Sequence, residues 1–382
     1  MQTLIDPHAF DMPQGLAYLD TAAEGIPPQA ALEANQAYWK AKRMGSPGRP
    51  LLYREYDELR NSAALLLGAP ADDIVPLANS SVALDLLAGG IPWHPGDEVL
   101  ICDLEFPSNV VVWLQLRDRG VKVIVVPSRD GVIELQDWLD RLSPRTRIVS
   151  VSQVSYKTGT QLPYLIDLAR HAHAAGALFC LDATQALGRV PVSIEGVDYL
   201  VASSYKWMLG PHGLGIVYRS PALADLLASS TAGWYSIEEV FHPRRFDTFT
   251  AKRSAGQLQA GMPNFPGIFA MRAGIDYIRA IGVPQIDRHL RPLVNALREG
   301  LAGEGLDLLT PPNACYASGI VAFECAEPER AAAALAGQGV IVWGGDGRVR
   351  ASVHLYNTEE DIDRCLSAVR TLSLQSERAA AK

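Results

Sequence analysis

Several chemically capable side chains follow short apolar runs that we interpret as buried strands. Asp182 comes directly after one run, Lys206 after the next, and Phe106 after an earlier one. Ser80 and Ser81 precede a predicted helix that starts near residue 82. Because ligands of an open parallel sheet bind at the carboxyl ends of its strands, we expect these groups to surround one crevice.

These residue types match the needs of one cofactor, pyridoxal phosphate. Lys206 is suited to form a Schiff base, because a lysine amine loses its proton in a partly desolvated pocket. Asp182 is suited to keep the pyridine nitrogen protonated, so that the ring accepts electrons. We expect Phe106 to stack on the ring, and Ser80 and Ser81 to bind the phosphate at the start of a helix.

Other roles remain open for these residues. Asp182 could merely cap the helix that follows its strand, and Phe106 could be an ordinary core residue. Gln185, three residues after Asp182, could donate a hydrogen bond to the phenolic oxygen of the cofactor. The offset between Asp182 and Lys206 favours the cofactor interpretation for both.

The elements that position these residues alternate between strand-like and helical patterns. This alternation is typical of a mainly parallel sheet with helices on its faces. A breaker-rich connection at 260–267 is followed by a predicted helix and a second group of strands. The predicted strands are Glu98–Cys102, Val121–Val126, Ile148–Ser152, Ala177–Leu181, Tyr199–Ala202, Ile320–Phe323, Val340–Trp343 and Val349–Val353.

A chain of 382 residues is longer than one compact core usually allows, so we predict two domains. We place an N-terminal arm at 1–20 and a large cofactor-binding domain at 21–264. A smaller α+β domain follows at 265–375, and we expect a disordered tail at 376–382.

Composition argues against several classes of function. Lys+Arg 34 and Asp+Glu 42 give a net charge of −8, which disfavours binding to nucleic acid. We find neither an apolar run of about 18 residues nor a signal-peptide pattern. Five cysteines without CxxC spacing favour a reducing compartment, and we predict a cytoplasmic protein. No residues show metal-ligand spacing, so we predict no metal.

Five motifs in order resemble the class V aminotransferase family of fold type I pyridoxal-phosphate enzymes. That family includes cysteine desulfurases, selenocysteine lyases, kynureninases and isopenicillin N epimerases. The resemblance covers nearly the whole chain. The motifs are YLDTAAEG, EFPSN, DATQALG, SSYKWMLGPHGLG and VRASVHLYNTEEDID.

The resemblance implies an α/β fold in which the large domain has a mainly parallel seven-stranded sheet and the smaller C-terminal domain is α+β. It implies a homodimer with its active site at the subunit interface. It also implies that Arg350 binds the α-carboxylate of the substrate, as a bidentate guanidinium can. A structural salt bridge is the alternative role for this arginine.

The resemblance adds Ser203 and Tyr205 to the cofactor-binding residues, beside Lys206. In many relatives a threonine follows the glycine at 261 and reaches the phosphate of the partner subunit. Here the residue is Met262, so only its backbone N–H is available for that contact.

Three further residues are candidates for binding the substrate. Tyr156 is suited to donate to the substrate or to the phenolic oxygen of the cofactor. His212 lies in a glycine-rich loop close after the lysine, where a structural role in the turn is the alternative. Arg49 follows a glycine- and proline-containing segment at 45–48 that we expect to close over the site.

The sequence also departs from the known branches of the family. Desulfurases carry a reactive cysteine shortly before the arginine, whereas the stretch at 340–349 is short and has none. We therefore do not expect a persulfide on the enzyme, although a lyase that releases sulfur directly needs no such cysteine. Phe106 and Tyr205 look like the kynureninase pattern, while Gln185 follows the aminotransferase and desulfurase pattern.

We predict an enzyme that acts on a small-molecule amino acid through an external aldimine, with Lys206 as the acid and base at Cα. The expected reaction is elimination at the β or γ position, including C–S cleavage, or transamination. An epimerase of the isopenicillin N type is the alternative, but we identify no second proton donor for it. An oxidoreductase is disfavoured, because the glycines at 210–215 follow the lysine instead of a first strand. A catalytically inactive binding protein of the same fold is disfavoured by the intact Lys206, Asp182 and Arg350.

Overall fold

The computed structural model describes residues 4–13, 15–227 and 231–380, and this part contains twelve strands and ten α-helices. The strands are β1 (Ala17–Tyr18), β2 (Ile74–Leu77), β3 (Glu98–Cys102), β4 (Lys122–Val126), β5 (Thr146–Ser152), β6 (Leu178–Asp182), β7 (Tyr199–Ser203), β8 (Gly215–Arg219), β9 (Ile320–Glu324), β10 (Val340–Ile341), β11 (Trp343–Gly345) and β12 (Arg348–Ser352). The helices are α1 (Gln29–Arg43), α2 (Arg49–Leu67), α3 (Ser80–Gly90), α4 (Ser108–Leu114), α5 (Leu135–Leu139), α6 (Leu165–Ala174), α7 (Phe265–Ile281), α8 (Val283–Gly303), α9 (Pro328–Ala336) and α10 (Glu359–Ala380).

A seven-stranded sheet with the order β2-β8-β7-β6-β5-β3-β4 forms the centre of the large domain. The pairs from β7 to β4 are parallel, and β8 is antiparallel to both of its neighbours. Pro76 lies in β2 at the edge of the sheet, where its missing N–H disturbs no inner hydrogen-bond ladder. The predicted α/β fold with a mainly parallel seven-stranded sheet is confirmed.

Both faces of this sheet are buried, because alternate strand residues contribute to two different cores. Leu100, Val149 and Phe179 face one core, which also contains residues of α1, α2 and α7. The residues next to them, such as Val99 and Ile148, face a second core with α3 and α4. Strands buried on both sides read as continuous apolar runs, which is why the sequence revealed them.

The smaller part of the fold is built on an antiparallel sheet with the order β11-β12-β9. Helices α8, α9 and α10 cover it and share its core. The N-terminal segment joins this part, since β1 pairs with β10 and Leu19 packs into the same core. Strand β12, which carries Arg350, is the central strand of this sheet, and its last residue Ser352 forms a β-bridge with Asp20 near the start of the chain.

The helix α7 connects the two parts. Its residue Met271 lies in the core of the large domain, whereas Ile278 near its end lies in the core of the small one. The change of core therefore falls within this helix, about one turn before its end, and the predicted boundaries remain predictions. Helix α10 runs through Ala380, so the predicted tail at 376–382 overlaps its end, and residues 381–382 lie outside the described ones.

Candidate active site

A cavity of about 380 Å³ opens at the carboxyl ends of β5, β6 and β7, beside the first turn of α3. This is the edge at which the sequence placed the chemically capable side chains. Nearly all of the predicted cofactor-binding residues line it, together with Tyr156 and His212. The lining residues are Asn79, Ser80, Ser81, Phe106, Ser108, Ser152, Val154, Tyr156, Asp182, Thr184, Gln185, Ser203, Tyr205, Lys206, His212 and Gly213.

Lys206 lies in this cavity with little contact to solvent. Its Nζ is 5.3 Å from the centre of the Phe106 ring and 5.6 Å from that of Tyr205. Burial, assisted by the charge of Arg350, lowers the pKa of Lys206 to about 8. An amine with such a pKa is partly neutral at neutral pH, as a nucleophile or base must be.

The backbone at Lys206 is held by a close approach to Gly25. The Gly25 N–H donates to the carbonyl of Tyr205 at 2.7 Å. A Cβ at position 25 would lie 1.9 Å from the Lys206 carbonyl oxygen, so only glycine fits there. The motif at the start of the chain therefore fixes the segment that carries the lysine.

Asp182 ends β6 and is buried at the bottom of the cavity. Its Oδ1 accepts a hydrogen bond from the Thr184 N–H at 2.8 Å. Burial raises the pKa of Asp182, and its contacts with Thr184 and the charge of Lys206 oppose this rise. A buried carboxylate of this kind is available to pair with a protonated ring nitrogen.

Hydroxyl groups from several elements converge at the start of α3. The side chain of Ser80 contacts the hydroxyl of Ser203 and lies 3.3 Å from that of Thr184, while the Ser81 and Ser108 hydroxyls are 2.7 Å apart. The N-cap of α3 is Asn79, which accepts from the N–H of Val82 at 2.9 Å, so the serines are not used for capping. Hydroxyls beside a helix N-terminus suit a phosphate dianion.

Phe106 and Gln185 differ in how free they are to contact a ligand. The Phe106 ring lies at the cavity surface and meets the Tyr156 ring edge-on, with 5.0 Å between centres. Gln185 is held on both sides: its Nε2 donates to the Ala22 carbonyl at 3.0 Å and its Oε1 accepts from the Trp207 indole at 2.6 Å. One N–H of Gln185 remains for a further acceptor.

Arg350 lies on β12 beside the cavity and contacts Tyr156, which lines it. Its Nη1 donates to the Tyr156 carbonyl at 3.0 Å, and its guanidinium lies 5.1 Å from the centre of the Trp343 ring. Its Nη2 is 3.8 Å from Oδ1 of Asp20. Burial lowers the pKa of Arg350 to about 10, so the side chain stays charged at neutral pH.

His212 stands at the mouth of the cavity. Its ring stacks on Tyr205 with 4.5 Å between centres and an angle of 21°. Its Nε2 is 3.0 Å from a carboxylate oxygen of Glu24, and both side chains are largely exposed. This pair borders the entrance without closing it.

Three of the predicted site residues do not line the cavity of the single chain: Arg350, which contacts the lining residue Tyr156, and the more distant Arg49 and Met262. Arg49 is the first residue of α2, and the segment before it forms a short 3₁₀ helix, Ser46–Gly48. Met262 is exposed to solvent away from the cavity. Both remain predictions that require a partner subunit or a movement of the chain.

Sequence reasoning missed several polar residues of the site. Thr184 accepts from the Ser203 N–H at 3.1 Å and so links β6 to β7. Asp20 and Glu24 belong to the YLDTAAEG motif, whose resemblance to the family assigns them no chemical role. Behind the cavity, the buried Glu105 accepts from the Ser152 N–H at 2.8 Å and from the Asn109 amide at 2.8 Å.

The residues present fit pyridoxal phosphate by the chemistry of its three parts. The start of α3 offers hydroxyls for a phosphate, Asp182 offers a carboxylate for a ring nitrogen, and Lys206 offers an amine for an aldehyde. Within the described ranges, no group of three or more His, Cys, Asp or Glu side chains is arranged to hold a metal ion. In the same part of the chain, no helix is both long and apolar enough to cross a membrane.

Comparison with known proteins gives the same answer. The family model of aminotransferase class V matches residues 17–365. A probable cysteine desulfurase of Methanothermobacter thermautotrophicus is 30% identical, covering 90% of this chain and 92% of the relative. The solved apo cysteine desulfurase of Thermococcus onnurineus superimposes with a TM-score of 0.87 at 27% identity, covering 94% of each chain. The cysteine desulfurase CsdA of Escherichia coli gives a TM-score of 0.86 at 26% identity, covering 97% of this chain and 99% of that one. The chain therefore belongs to the class V aminotransferase family and is a pyridoxal-phosphate-dependent enzyme.

Proposed function

We propose that this enzyme is a lyase that cleaves the C–S bond of cysteine or a closely related amino acid and releases the sulfur product directly. Similarity to cysteine desulfurases supports the substrate class. Direct release of the sulfur product is supported by the stretch of chain just before Arg350. This stretch contains no cysteine that could receive the sulfur.

The stretch before Arg350 is a tight β-hairpin. Strands β11 and β12 pair from Trp343–Arg350 to Gly345–Arg348, and only Asp346 and Gly347 connect them. Both connecting residues have positive φ, 49° and 72°, as a two-residue hairpin turn of this kind requires. A hairpin so short cannot extend a side chain over the cavity, and the lining residues described above include no cysteine.

Two buried cysteines near the candidate site are unsuited to accept sulfur as well. Cys102 and Cys180 are buried in the sheet, and burial raises the pKa of both thiols. A thiol that stays protonated is a poor nucleophile. The described cysteines are all free, which supports our proposal of a reducing, cytoplasmic compartment.

The roles we propose for the site residues follow from their positions. Lys206 would hold the cofactor through its amine, and the same Nζ would take the proton from Cα of the amino acid. Asp182 keeps the ring nitrogen protonated, while Ser80, Ser81 and Ser203 bind the phosphate. When bound, pyridoxal phosphate withdraws electrons from Cα and so makes its proton acidic.

The substrate side of the cavity has its own groups. Arg350 binds the α-carboxylate, and the Tyr156 carbonyl that accepts from its Nη1 sets the orientation of the guanidinium. Phe106 covers the cofactor ring. Gln185 donates its remaining N–H to the phenolic oxygen.

Product analysis tests this function. Incubation of the holoenzyme with L-cysteine is expected to yield sulfide, pyruvate and ammonia in equal amounts, because elimination of hydrogen sulfide followed by hydrolysis gives these three products. Lys206→Ala is expected to form none of them. Formation of alanine would instead indicate desulfuration through an acceptor, and formation of keto acid without sulfide would indicate transamination.

We also propose that the enzyme acts as a homodimer. Several large apolar side chains are exposed in the single chain, among them Phe241 and Phe246, which are 87% and 86% exposed. They belong to the segment that precedes Met262, the residue expected to reach the partner's phosphate site. A Phe241→Ser, Phe246→Ser variant is expected to shift the mass measured by light scattering from dimer to monomer, and an unchanged mass would remove this segment from the interface.

A further inference from the structure

Asp20 stands beside the arginine to which we assign the substrate carboxylate, but it forms no hydrogen bond with it. The distance from Arg350 Nη2 to Asp20 Oδ1 is 3.8 Å, which exceeds hydrogen-bonding distance. Both side chains are largely buried. The charge of Arg350 is thus balanced, while its donors are not saturated.

The other donors of Arg350 point to the same conclusion. Its Nη1 donates to the Tyr156 carbonyl, but its buried Nε has no hydrogen-bond partner. Oδ1 of Asp20 also lacks a partner. Buried polar atoms without partners cost free energy, so an arrangement that keeps several together is maintained for a reason other than stability.

The position of Asp20 is fixed by the strand that carries Arg350. Ser352, two residues further along β12, donates its N–H to the Leu19 carbonyl at 2.7 Å and accepts from the Ala22 N–H at 2.9 Å with its hydroxyl. These contacts lie on both sides of Asp20. The carboxylate is therefore held near Arg350 by the backbone, independently of any ligand.

We propose that Asp20 is the resident counter-ion of Arg350, which the carboxylate of the amino acid replaces, and that Asp20 takes up a proton when this happens. The proposal rests on the proposed role of Arg350 in binding the substrate. Two carboxylates cannot both remain charged close to one guanidinium without repulsion, and the buried one is neutralised more readily than the ligand. Substrate binding is then linked to the uptake of one proton.

The surroundings of Asp20 decide where this linkage falls on the pH scale. Burial raises the pKa of Asp20 to about 7, and the negative charge of Glu24 acts in the same direction. The charges of Arg350 and Lys206 and the N–H of Ala23 oppose the rise. The titratable and charged groups that face Asp20 are Arg350 on β12, Lys206 after β7, Glu24 on its own segment, Tyr18 on β1 and Tyr356 after β12.

The sign of the effect follows from these positions. Below the pKa, Asp20 is already protonated and a carboxylate ligand meets no competing charge. Above it, binding must first drive the proton onto Asp20, so the affinity falls as pH rises through about 7. The fall approaches about tenfold per pH unit once the carboxylate is ionised.

Calorimetric titration of the holoenzyme with propionate tests the proposal, because propionate has the carboxylate of an amino acid but no amine. Between about pH 6 and about pH 9, the wild type is expected to lose affinity, and its proton uptake per propionate is expected to rise from near zero to close to one. Asp20→Asn is expected to show neither effect and to bind propionate more tightly than the wild type at the upper end. Ethylamine, which lacks a carboxylate, is expected to bind both proteins alike.

Two further variants separate the causes. Glu24→Gln removes a nearby charge without touching Arg350. It is expected to keep the slope of affinity against pH but to shift the midpoint to lower pH, because the charge of Glu24 raises the pKa of Asp20. Arg350→Ala is expected to lose propionate binding, and retained binding there would overturn the proposed role of the arginine. Equal pH slopes and proton uptake in Asp20→Asn and the wild type, or weaker binding in Asp20→Asn at every pH, would overturn the role of Asp20 alone.

Discussion

Two buried arginine–aspartate pairs of this protein differ in how tightly they are closed. Nη1 of Arg189 lies 2.9 Å from Oδ1 of Asp287, and Arg291 contacts the other oxygen of that carboxylate at 2.7 Å. Arg350 and Asp20 approach each other only to 3.8 Å. The first pair is a closed hydrogen-bonded cluster, and the second is an open one.

Their places in the fold explain the difference. Arg189 comes from the large domain, Asp287 lies on α8 of the small domain, and Nε of Arg189 contacts the Val353 carbonyl at 3.3 Å. This pair joins the domains. The pair of Arg350 and Asp20 lies next to the cavity, where an arginine hydrogen-bonded to its own carboxylate would have fewer donors for a substrate. Arg189 also keeps one unpartnered Nη2, so the two pairs differ in the arginine–aspartate distance. Closure of an ion pair therefore distinguishes the arginine that holds the fold from the one that we propose binds the ligand.

Removing the carboxylate of the closed pair is expected to have the largest effect. Asp287→Asn leaves Arg189 charged and fully buried, and an arginine cannot lose its proton to escape. The free energy of unfolding, measured by urea denaturation, is expected to fall by about 3–5 kcal/mol.

An exposed aspartate provides the control. Asp57 pairs with Arg60 at 3.3 Å but is 64% exposed. Asp57→Asn is expected to change the free energy of unfolding by less than about 1 kcal/mol. Similar losses for Asp57→Asn and Asp287→Asn would show that the closed pair has no special role in joining the domains.

Truncation of Arg350 sharpens the comparison from the other side. Arg350→Ala is expected to weaken L-alanine binding to the holoenzyme about 100-fold. This corresponds to the loss of about 3 kcal/mol expected for a charge-assisted hydrogen-bonded pair. The absorbance of the bound cofactor, which we place on Lys206 and Asp182, is expected to stay unchanged and serves to report the binding.

The open pair also predicts a smaller effect on stability than the closed one. In Arg350→Met the remaining partner is Asp20, which takes up a proton because burial already raises its pKa to about 7. The loss of unfolding free energy is expected to be about 1 kcal/mol or less.

The control for the binding experiment is Arg330→Ala, at an exposed arginine. If Arg330→Ala and Arg350→Ala weakened L-alanine binding equally, a specific role of Arg350 in binding would be contradicted.

The comparison also shows which parts of the fold the sequence reveals. The inner parallel strands were predicted to within about two residues, since burial on both faces makes them continuous apolar runs. Strand β2 was missed because it is short and contains Pro76, which argues against a strand unless the strand lies at an edge. Strand β8 was missed because it follows directly on the glycine-rich loop and was absorbed into that loop.

The candidate site was predictable where a residue acts in its own element. Asp182 and Lys206 each stand at the end of one strand, so the pattern of that strand places them. Asp20 and Thr184 act through partners far away in the sequence: Asp20 faces an arginine 330 residues later, and only folding reveals the contact. Gln185 lines the cavity, and its predicted contact with the cofactor stays a prediction, but its bonds to Ala22 and Trp207 could not be foreseen.

The smallest expected effect is on the pH dependence of the unfolding free energy and concerns His354. This buried histidine lies near Arg189 and tests whether water reaches the closed pair. The side chain is fully buried, its Nε2 lies 3.1 Å from the Trp207 carbonyl, and its Nδ1 has no partner. Burial, with the nearby charge of Arg189, lowers the pKa of His354 to about 3. Near the open pair, burial raises the pKa of the Asp20 carboxyl, so burial favours the neutral form of a titratable group in both regions.

Stability against pH makes this effect of burial measurable. Unfolded histidine titrates near pH 6.5, so between about pH 6.5 and about pH 3 the unfolded state binds more protons than the folded one. The contribution of His354 is therefore complete above this window and is lost as pH falls, by about 1 kcal/mol at about pH 5.5. His354→Phe is expected to flatten this slope in urea denaturation, whereas His94→Asn, at an exposed histidine, is expected to keep it. If His354→Phe retains the slope of the wild type, water reaches the closed pair, and closure alone no longer separates the two arginines.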